Sequence, residues 1–133
     1  MKKAITVFAI LLAFAGVLFA APAYKAKAEA KLCVQTGDID CAVAKFLEAE
    51  AAALAQLAAA AADDPVDWQE NADWQRNNAA YCLIKSQAAG ETRDTDALKE
   101  ALKLLTEREI KHPKVKATAD RNINYCKTQL GLN

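Results

Sequence analysis

Hydrophobic side chains along residues 24–130 recur mainly at intervals of three and four, the spacing that places them on one face of an α-helix. One such series follows Gly37 and consists of Ile39, Val43, Phe46, Leu47, Leu54 and Leu57. A second series follows Asp94 and consists of Leu98, Leu102, Leu105 and Ile110. No stretch alternates hydrophobic and polar residues for long enough to indicate a β-strand. The pattern predicts an all-α fold.

Glycines, prolines and capping aspartates divide this pattern into five predicted helices. The helices cover residues 25–36, from Asp38 or Asp40 to residue 62, residues 67–89, from Asp94 or Thr95 to residue 111, and residues 115–130. An aspartate before a helix accepts hydrogen bonds from the free amides of the first turn, and glycine is common where a helix ends. The packed face of the third helix is predicted to include Trp74, Ala80, Tyr81 and Ile84.

Residues 1–23 have the features of a secretory signal peptide. After the initiator methionine, the segment has two lysines, then 18 mostly apolar residues, and it closes with Ala21-Pro22-Ala23, whose small side chains suit cleavage before Tyr24. The alternative is an uncleaved membrane anchor, although such a stretch barely spans the ~30 Å hydrocarbon layer. We therefore predict one domain over residues 24–133. It would be exported to the bacterial periplasm or exterior, with no stable membrane insertion after cleavage.

Removing this leader changes the charge balance. The full chain has 17 basic and 17 acidic side chains, and two of the basic ones lie in the leader, so residues 24–133 carry 15 and 17. A chain this close to neutrality is not expected to bind nucleic acid through bulk charge. Residues 24–73 contain four basic and ten acidic side chains, whereas residues 74–133 contain eleven and seven. This asymmetry would permit self-association through electrostatic complementarity.

The cysteines that follow the leader are Cys33, Cys41, Cys82 and Cys126. In an oxidising compartment this even number predicts two disulfides, although four cysteines allow three pairings. The core needs such support, because Leu, Ile, Val and Phe together make up only 20 of the 110 residues after the leader. No C-x-x-C spacing occurs and His112 is the only histidine. We therefore predict no metal site, no cofactor and no catalytic residue, and we do not expect an enzyme.

The third and fifth predicted helices share an Asn-x-x-Tyr-Cys pattern, at residues 78–82 and 122–126. With Cys33, the cysteines of this pattern recur at intervals of 49 and 44 residues, a period typical of helical-hairpin repeats. Here the chain resembles the tetratricopeptide repeat (TPR) family. Trp74, Ala80 and Tyr81 match its first helix, where Asn78 replaces the usual glycine, and Ala42, Phe46 and Ala49 match its second. The resemblance implies about two and a half antiparallel helical hairpins in a TPR-like right-handed solenoid, with roughly ten extra residues per repeat.

The resemblance also implies which cysteines pair and where a ligand would bind. Cys33 would face Cys41 across the first turn, and Cys82 would face Cys126 on neighbouring helices. TPR arrays bind partner peptides in a concave groove, which here would be lined by Tyr24, Lys27, Lys31, Gln75, Arg76, Lys116 and Lys127. This set is mainly basic and suits an acidic segment or a C-terminal carboxylate. The alternative interpretation is that these are ordinary solvated residues.

The sequence therefore predicts an exported protein–protein interaction module that binds a partner peptide or protein segment in the bacterial cell envelope. The alternative is a small disulfide-stapled helical inhibitor or adaptor of one secreted or periplasmic enzyme. In that case a loop would carry the contacts, either residues 63–68 or residues 90–94.

Overall fold

The chain folds into α-helices in the computed structural model, which describes residues 21–88 and 94–132. Five helices lie in these ranges: α1 (residues 21–35), α2 (Ile39–Ala59), α3 (Trp68–Ala88), α4 (Thr95–Glu107) and α5 (Pro113–Leu130). No β-strand occurs among the described residues. The prediction of an all-α fold with five helices is confirmed.

The helix ends follow the capping residues expected from the sequence. The side chain of Asp38 accepts a hydrogen bond from the Cys41 amide at the start of α2, and Asp94 accepts two from first-turn amides of α4. Gly37 and Gly131, which follow α1 and α5, have φ angles of 78° and 72°. Glycine adopts this left-handed conformation at little cost, so the chain can leave each helix sharply.

Helix α4 ends four residues earlier than predicted, at Glu107 instead of Lys111. Arg108 has extended backbone angles, with φ −121° and ψ 132°, and its side chain pairs with carboxylates on α2 and α3. Ile110 lies outside the helix and still reaches the core, with 5% of its surface exposed. The predicted helix through residue 111 is wrong because these tertiary contacts override local helix propensity.

Other boundaries differ less from the predictions. Helix α2 ends at Ala59 because Ala60 is extended. Helix α5 begins at Pro113. Proline has no backbone N–H, but the N–H at the first position of a helix has no partner within the helix, so nothing is lost there. The predicted end of α3 at residue 89 and residues 1–20 of the predicted signal peptide lie outside the described residues. Within the described ranges, no helix has both the length and the apolar composition needed to cross a membrane.

The helices pack around α3, which contacts α2, α4 and α5. The main core combines a few large side chains, among them Phe46, Leu83, Leu98 and Leu105, with many buried alanines. Ala42, Ala79, Ala80 and Ala101 have no exposed surface. Their small side chains let helix backbones approach closely, and this closeness compensates for the shortage of large apolar residues.

The tryptophans and Tyr81 show which sides of α3 are packed. Trp68 is 3% exposed and lies in a second, smaller cluster with Ala53 of α2, while Trp74 packs partly against the main core. Tyr81, which the sequence placed on the packed face, is instead 48% exposed. That part of the predicted face is therefore wrong, because the surface of α3 that carries Tyr81 lies along a groove.

A disulfide joins Cys33 near the end of α1 to Cys41 in the first turn of α2. The two helices meet across Gly37, so the bond closes a loop between residues eight positions apart. One of the two predicted disulfides is therefore present in the predicted pairing.

Cys82 and Cys126 are buried free thiols, so the prediction of a second disulfide between them is wrong. Asn122 of α5 donates a hydrogen bond to Asn77, which marks the side of α3 that faces α5. Cys82 follows Asn77 by five residues and is rotated by about 140° around the helix. Its side chain consequently lies on the side of α3 that faces α1, away from α5.

Replacing both Cys33 and Cys41 with serine should lower the free energy of unfolding by about 2–3 kcal/mol, because the short loop is no longer closed in the unfolded chain. Urea unfolding of the oxidised proteins measures this difference. Dithiothreitol should destabilise the wild-type protein and leave the Cys33→Ser/Cys41→Ser variant unchanged. A further loss of stability in the reduced variant would contradict the assignment of Cys82 and Cys126 as thiols.

Candidate functional site

A groove lies between α1 and α3, and we call it the α1–α3 groove. It comprises two cavities that share Asn78. The α3 helix contributes Glu70, Asn71, Trp74, Gln75, Asn78, Tyr81, Cys82, Lys85 and Ser86 to its lining. These positions recur at intervals of three and four, so one stripe of α3 runs along the groove. The two cavities differ in charge and are described as the basic end and the acidic end.

The basic end has a volume of about 780 Å³ and is lined by Lys31, Val34, Gln35, Gly37, Ile39, Phe46, Asn78, Tyr81, Cys82, Lys85 and Ser86. Both charged side chains among these residues are lysines, one from each helix. Val34 and Tyr81 expose 44% and 48% of their surface. This end therefore offers apolar and aromatic surface between two positive charges.

The Cys82 thiol at the basic end does not offset this positive charge. Burial raises the pKa of Cys82, and the nearby Lys85 lowers it by a smaller amount, so the net shift is upward. Thiols with raised pKa values are neutral and weakly nucleophilic at physiological pH. Cys82 thus contributes apolar surface to the groove.

The acidic end is smaller, about 380 Å³, and is lined by Lys27, Asp67, Glu70, Asn71, Trp74, Gln75 and Asn78. His112, at the start of α5, reaches two of these residues. Its Nε2 atom lies 3.2 Å from Oδ2 of Asp67 and 3.7 Å from Oε2 of Glu70. Two carboxylates and an imidazole therefore meet where α3 and α5 begin.

A buried network of charges lies on the other side of α3. Glu50 of α2 accepts hydrogen bonds from Arg76 at 2.8 Å and from Nη2 of Arg108 at 2.8 Å. Arg108 also donates to Asp73 at 2.8 Å, and Arg76 donates to the backbone oxygen of Leu104. Burial opposes the charge on Arg108, but its bonds to Asp73 and Glu50 outweigh this effect and raise its pKa. We call Glu50, Asp73, Arg76 and Arg108 the charge network.

Asp73 of this network also positions His112. The Asp73 side chain has no exposed surface, and its Oδ2 atom accepts hydrogen bonds from the backbone amides of Lys111 and His112 at 3.0 and 2.8 Å. These amides immediately precede α5, so they have no partner within that helix. The bonds hold the entry of α5 against α3 and bring the imidazole to Asp67 and Glu70.

The structure brings some of the predicted groove residues together. Lys27, Lys31 and Gln75 line the cavities, although Gln75 is only 2% exposed. Tyr24 is half-exposed, and its ring centre lies 5.8 Å from that of Trp68. Arg76 is buried in the charge network, so its predicted place in the groove is wrong. It follows Gln75 by one residue, and this step turns its side chain by about 100° toward α2 and α4.

Lys116 and Lys127, the two predicted groove residues on α5, do not line either cavity. Both are exposed, and Lys116 lies 3.7 Å from Asp120 on its own helix. The sequence reasoning missed Val34, Tyr81 and Lys85. The spacing of Asn78, Tyr81 and Lys85 along α3 could have indicated Tyr81 and Lys85, because it places them on one stripe.

Comparison of the chain with protein-family models, with curated proteins and with solved structures found no match. The groove is therefore interpreted from its own residues, charges and volume.

Replacing Asp73 with asparagine should destabilise the protein by about 3 kcal/mol, because it removes a fully buried carboxylate charge that pairs with the partly exposed Arg108. The amide also presents one acceptor oxygen fewer to the surrounding donors. Urea unfolding measures the loss. Glu48→Gln is the matched control, since the Glu48 side chain is 61% exposed and pairs with Lys45 at the surface. Equal effects of the two substitutions would show that the buried network is not a main source of stability.

Proposed function

We propose that this protein is an exported helical-repeat module that binds a segment of a partner protein in the α1–α3 groove. The observation that carries the proposal is the basic end, where Lys31 and Lys85 line the same cavity as apolar and aromatic side chains. A peptide with acidic and apolar side chains is complementary to such a surface. Apolar burial would supply affinity, and the lysines would select the charge of the ligand.

The repeat arrangement is part of this proposal. Helices α1 and α2 would form the first TPR-like hairpin, α3 and α4 the second, and α5 a final half. The Cys33–Cys41 disulfide across the first turn supports the first pairing, and the contacts of α3 with α4 and α5 support the second and its stacking. In a right-handed solenoid of this kind, the α1–α3 groove lies between the first helices of successive repeats. That is the surface such arrays use for peptides.

Export to the bacterial cell envelope is proposed from two features. The leader in residues 1–23 has a basic start, an apolar stretch and small residues at its end. The Cys33–Cys41 disulfide is the kind of bond that forms and persists in the periplasm or outside the cell.

We favour a binding function over a catalytic one, and we favour the α1–α3 groove over a loop as the place where a partner binds. At the basic end, the polar groups beside the lysines include the amide of Asn78 and the neutral thiol of Cys82.

The inhibitor or adaptor alternative placed its contacts in residues 63–68 or 90–94. In the first of these loops, Asp64 accepts a hydrogen bond from the indole of Trp68, which is 3% exposed. Residues 90–93 lie outside the described residues.

Titration of the isotope-labelled oxidised protein with three synthetic 12-residue peptides tests the groove. One peptide combines glutamate with leucine, the second replaces every glutamate with lysine, and the third replaces every leucine with serine. We expect the first to bind most tightly and to shift the backbone amide resonances of Val34, Tyr81 and Lys85, because only this peptide matches both the charge and the apolar surface.

Charge reversal at Lys31 and Lys85 to glutamate should weaken binding of the glutamate–leucine peptide by at least about 10-fold, since each screened charge contact contributes about 1 kcal/mol. The matched control is reversal of Lys99 and Lys103, two exposed lysines of α4. Equal binding of the lysine–leucine peptide, or equal weakening by the two double variants, would contradict the proposal.

A further inference from the structure

We propose that Asp67, Glu70 and His112 form a binding site for a divalent transition-metal ion of the zinc class. The three residues each offer one ligand atom, and these atoms all lie within 4.8 Å of one another. No sequence pattern indicates this site, because His112 follows Glu70 by 42 residues and has no second histidine or paired cysteine beside it. Only the packing of α5 against α3 brings the three together.

Two of the three distances between the ligand atoms fit a zinc-sized ion, and the third, between the two carboxylates, is within 4.8 Å. Zinc binds imidazole nitrogen and carboxylate oxygen at about 2.0–2.2 Å in a tetrahedral arrangement, which separates neighbouring ligand atoms by about 3.3–3.6 Å. The Nε2 atom of His112 lies 3.2 Å from Oδ2 of Asp67 and 3.7 Å from Oε2 of Glu70. An ion can therefore be accommodated with small side-chain rotations.

Each carboxylate uses one oxygen for the fold and turns the other toward the shared position. Oδ1 of Asp67 accepts a hydrogen bond from the Glu70 amide at 2.9 Å. Oε1 of Glu70 accepts one from the indole of Trp74 at 3.4 Å and lies 3.8 Å from the amine of Lys114. The oxygens that face His112 are Oδ2 and Oε2. Outer contacts of this kind orient metal ligands and contribute to affinity.

The imidazole is positioned by its backbone and by the residue that follows. Asp73 binds the His112 amide, as described above, and Pro113 fixes the first position of α5. No hydrogen bond to a described residue engages the buried Nδ1 atom. An ion bound through Nε2 requires the tautomer that carries its proton on Nδ1, and burial of this N–H without an acceptor lowers the affinity that the site can reach.

Gln75 provides an independent observation at the same cavity. It lines the acidic end beside Asp67 and Glu70, is 2% exposed, and has an Oε1 atom without a hydrogen-bond partner among the described residues. A buried amide oxygen without a donor is costly. A rotation of the amide toward the cavity would let a water molecule bound to the ion supply that donor. Three protein ligands with one open position is the arrangement in which zinc retains such a water.

The ligand set favours zinc over the common hard cations. Imidazole suits zinc and its transition-metal neighbours, whereas magnesium and calcium prefer sites made of oxygen atoms alone. The two carboxylates also supply the negative charge that a divalent ion requires.

Isothermal titration of the oxidised protein, without a polyhistidine tag, with zinc chloride tests the site. We expect one zinc ion per chain and much weaker binding of magnesium and calcium. Cobalt(II) should bind at the same site and give the visible absorption of a low-symmetry nitrogen–oxygen environment. Failure of the wild-type protein to bind zinc at one site would overturn the proposal.

Variants distinguish this site from scattered surface carboxylates. His112→Gln and Asp67→Asn should each weaken zinc binding by at least about 10-fold, since even outer-shell losses cost 10–100-fold. Asp67→Asn retains the side-chain oxygen that caps α3, so it remains informative if His112→Gln does not fold. The control is Asp120→Asn, because Asp120 is an exposed carboxylate of α5. Zinc affinity unchanged in both site variants, or reduced equally in the control, would refute the site.

Discussion

The charge network on the inner side of α3 is the interaction on which the rest of the structure depends. Glu50 binds arginines from α3 and from the segment after α4, and Asp73 binds Arg108 together with two backbone amides ahead of α5. Three parts of the chain, α2, α3 and the connection between α4 and α5, therefore meet at two buried carboxylates. In a core made largely of alanine, which buries little surface per residue, such directional bonds determine the relative positions of the helices.

The same network explains why the candidate sites lie where they do. Arg76 and Asp73 occupy the side of α3 that faces α2 and α4, so the opposite stripe of the helix is left for the α1–α3 groove. Asp73 also binds the end of the connection between α4 and α5, and this bond places His112 against the first turn of α3. The groove proposed to bind a peptide and the proposed metal site are thus two consequences of one arrangement around a single helix.

Much of the local structure could be predicted from the sequence, because its causes are local. Asp38 and Asp94 bind amides within three residues, and Gly37 supplies a positive φ angle that other residues rarely adopt. The predicted groove residues had another source, the TPR resemblance, which named Lys27 and Lys31, both of which line the cavities, but also included Arg76, which is buried. A rotation of about 100° around the helix axis separates Gln75 from Arg76. A pattern match does not resolve which side of the helix packs against a neighbouring helix.

By itself, the sequence determined that the described chain is helical and where most helices begin and end, because capping, glycine conformation and hydrophobic spacing act over a few residues. The tertiary structure alone decided that α4 stops at Glu107, that Cys82 and Cys126 remain thiols, and that His112 meets Asp67 and Glu70. Each of these outcomes depends on the relative positions of residues that are tens of positions apart in the sequence. Their proximity depends on how the helices rotate and pack against one another, and those rotations are set by buried ion pairs that no local pattern encodes.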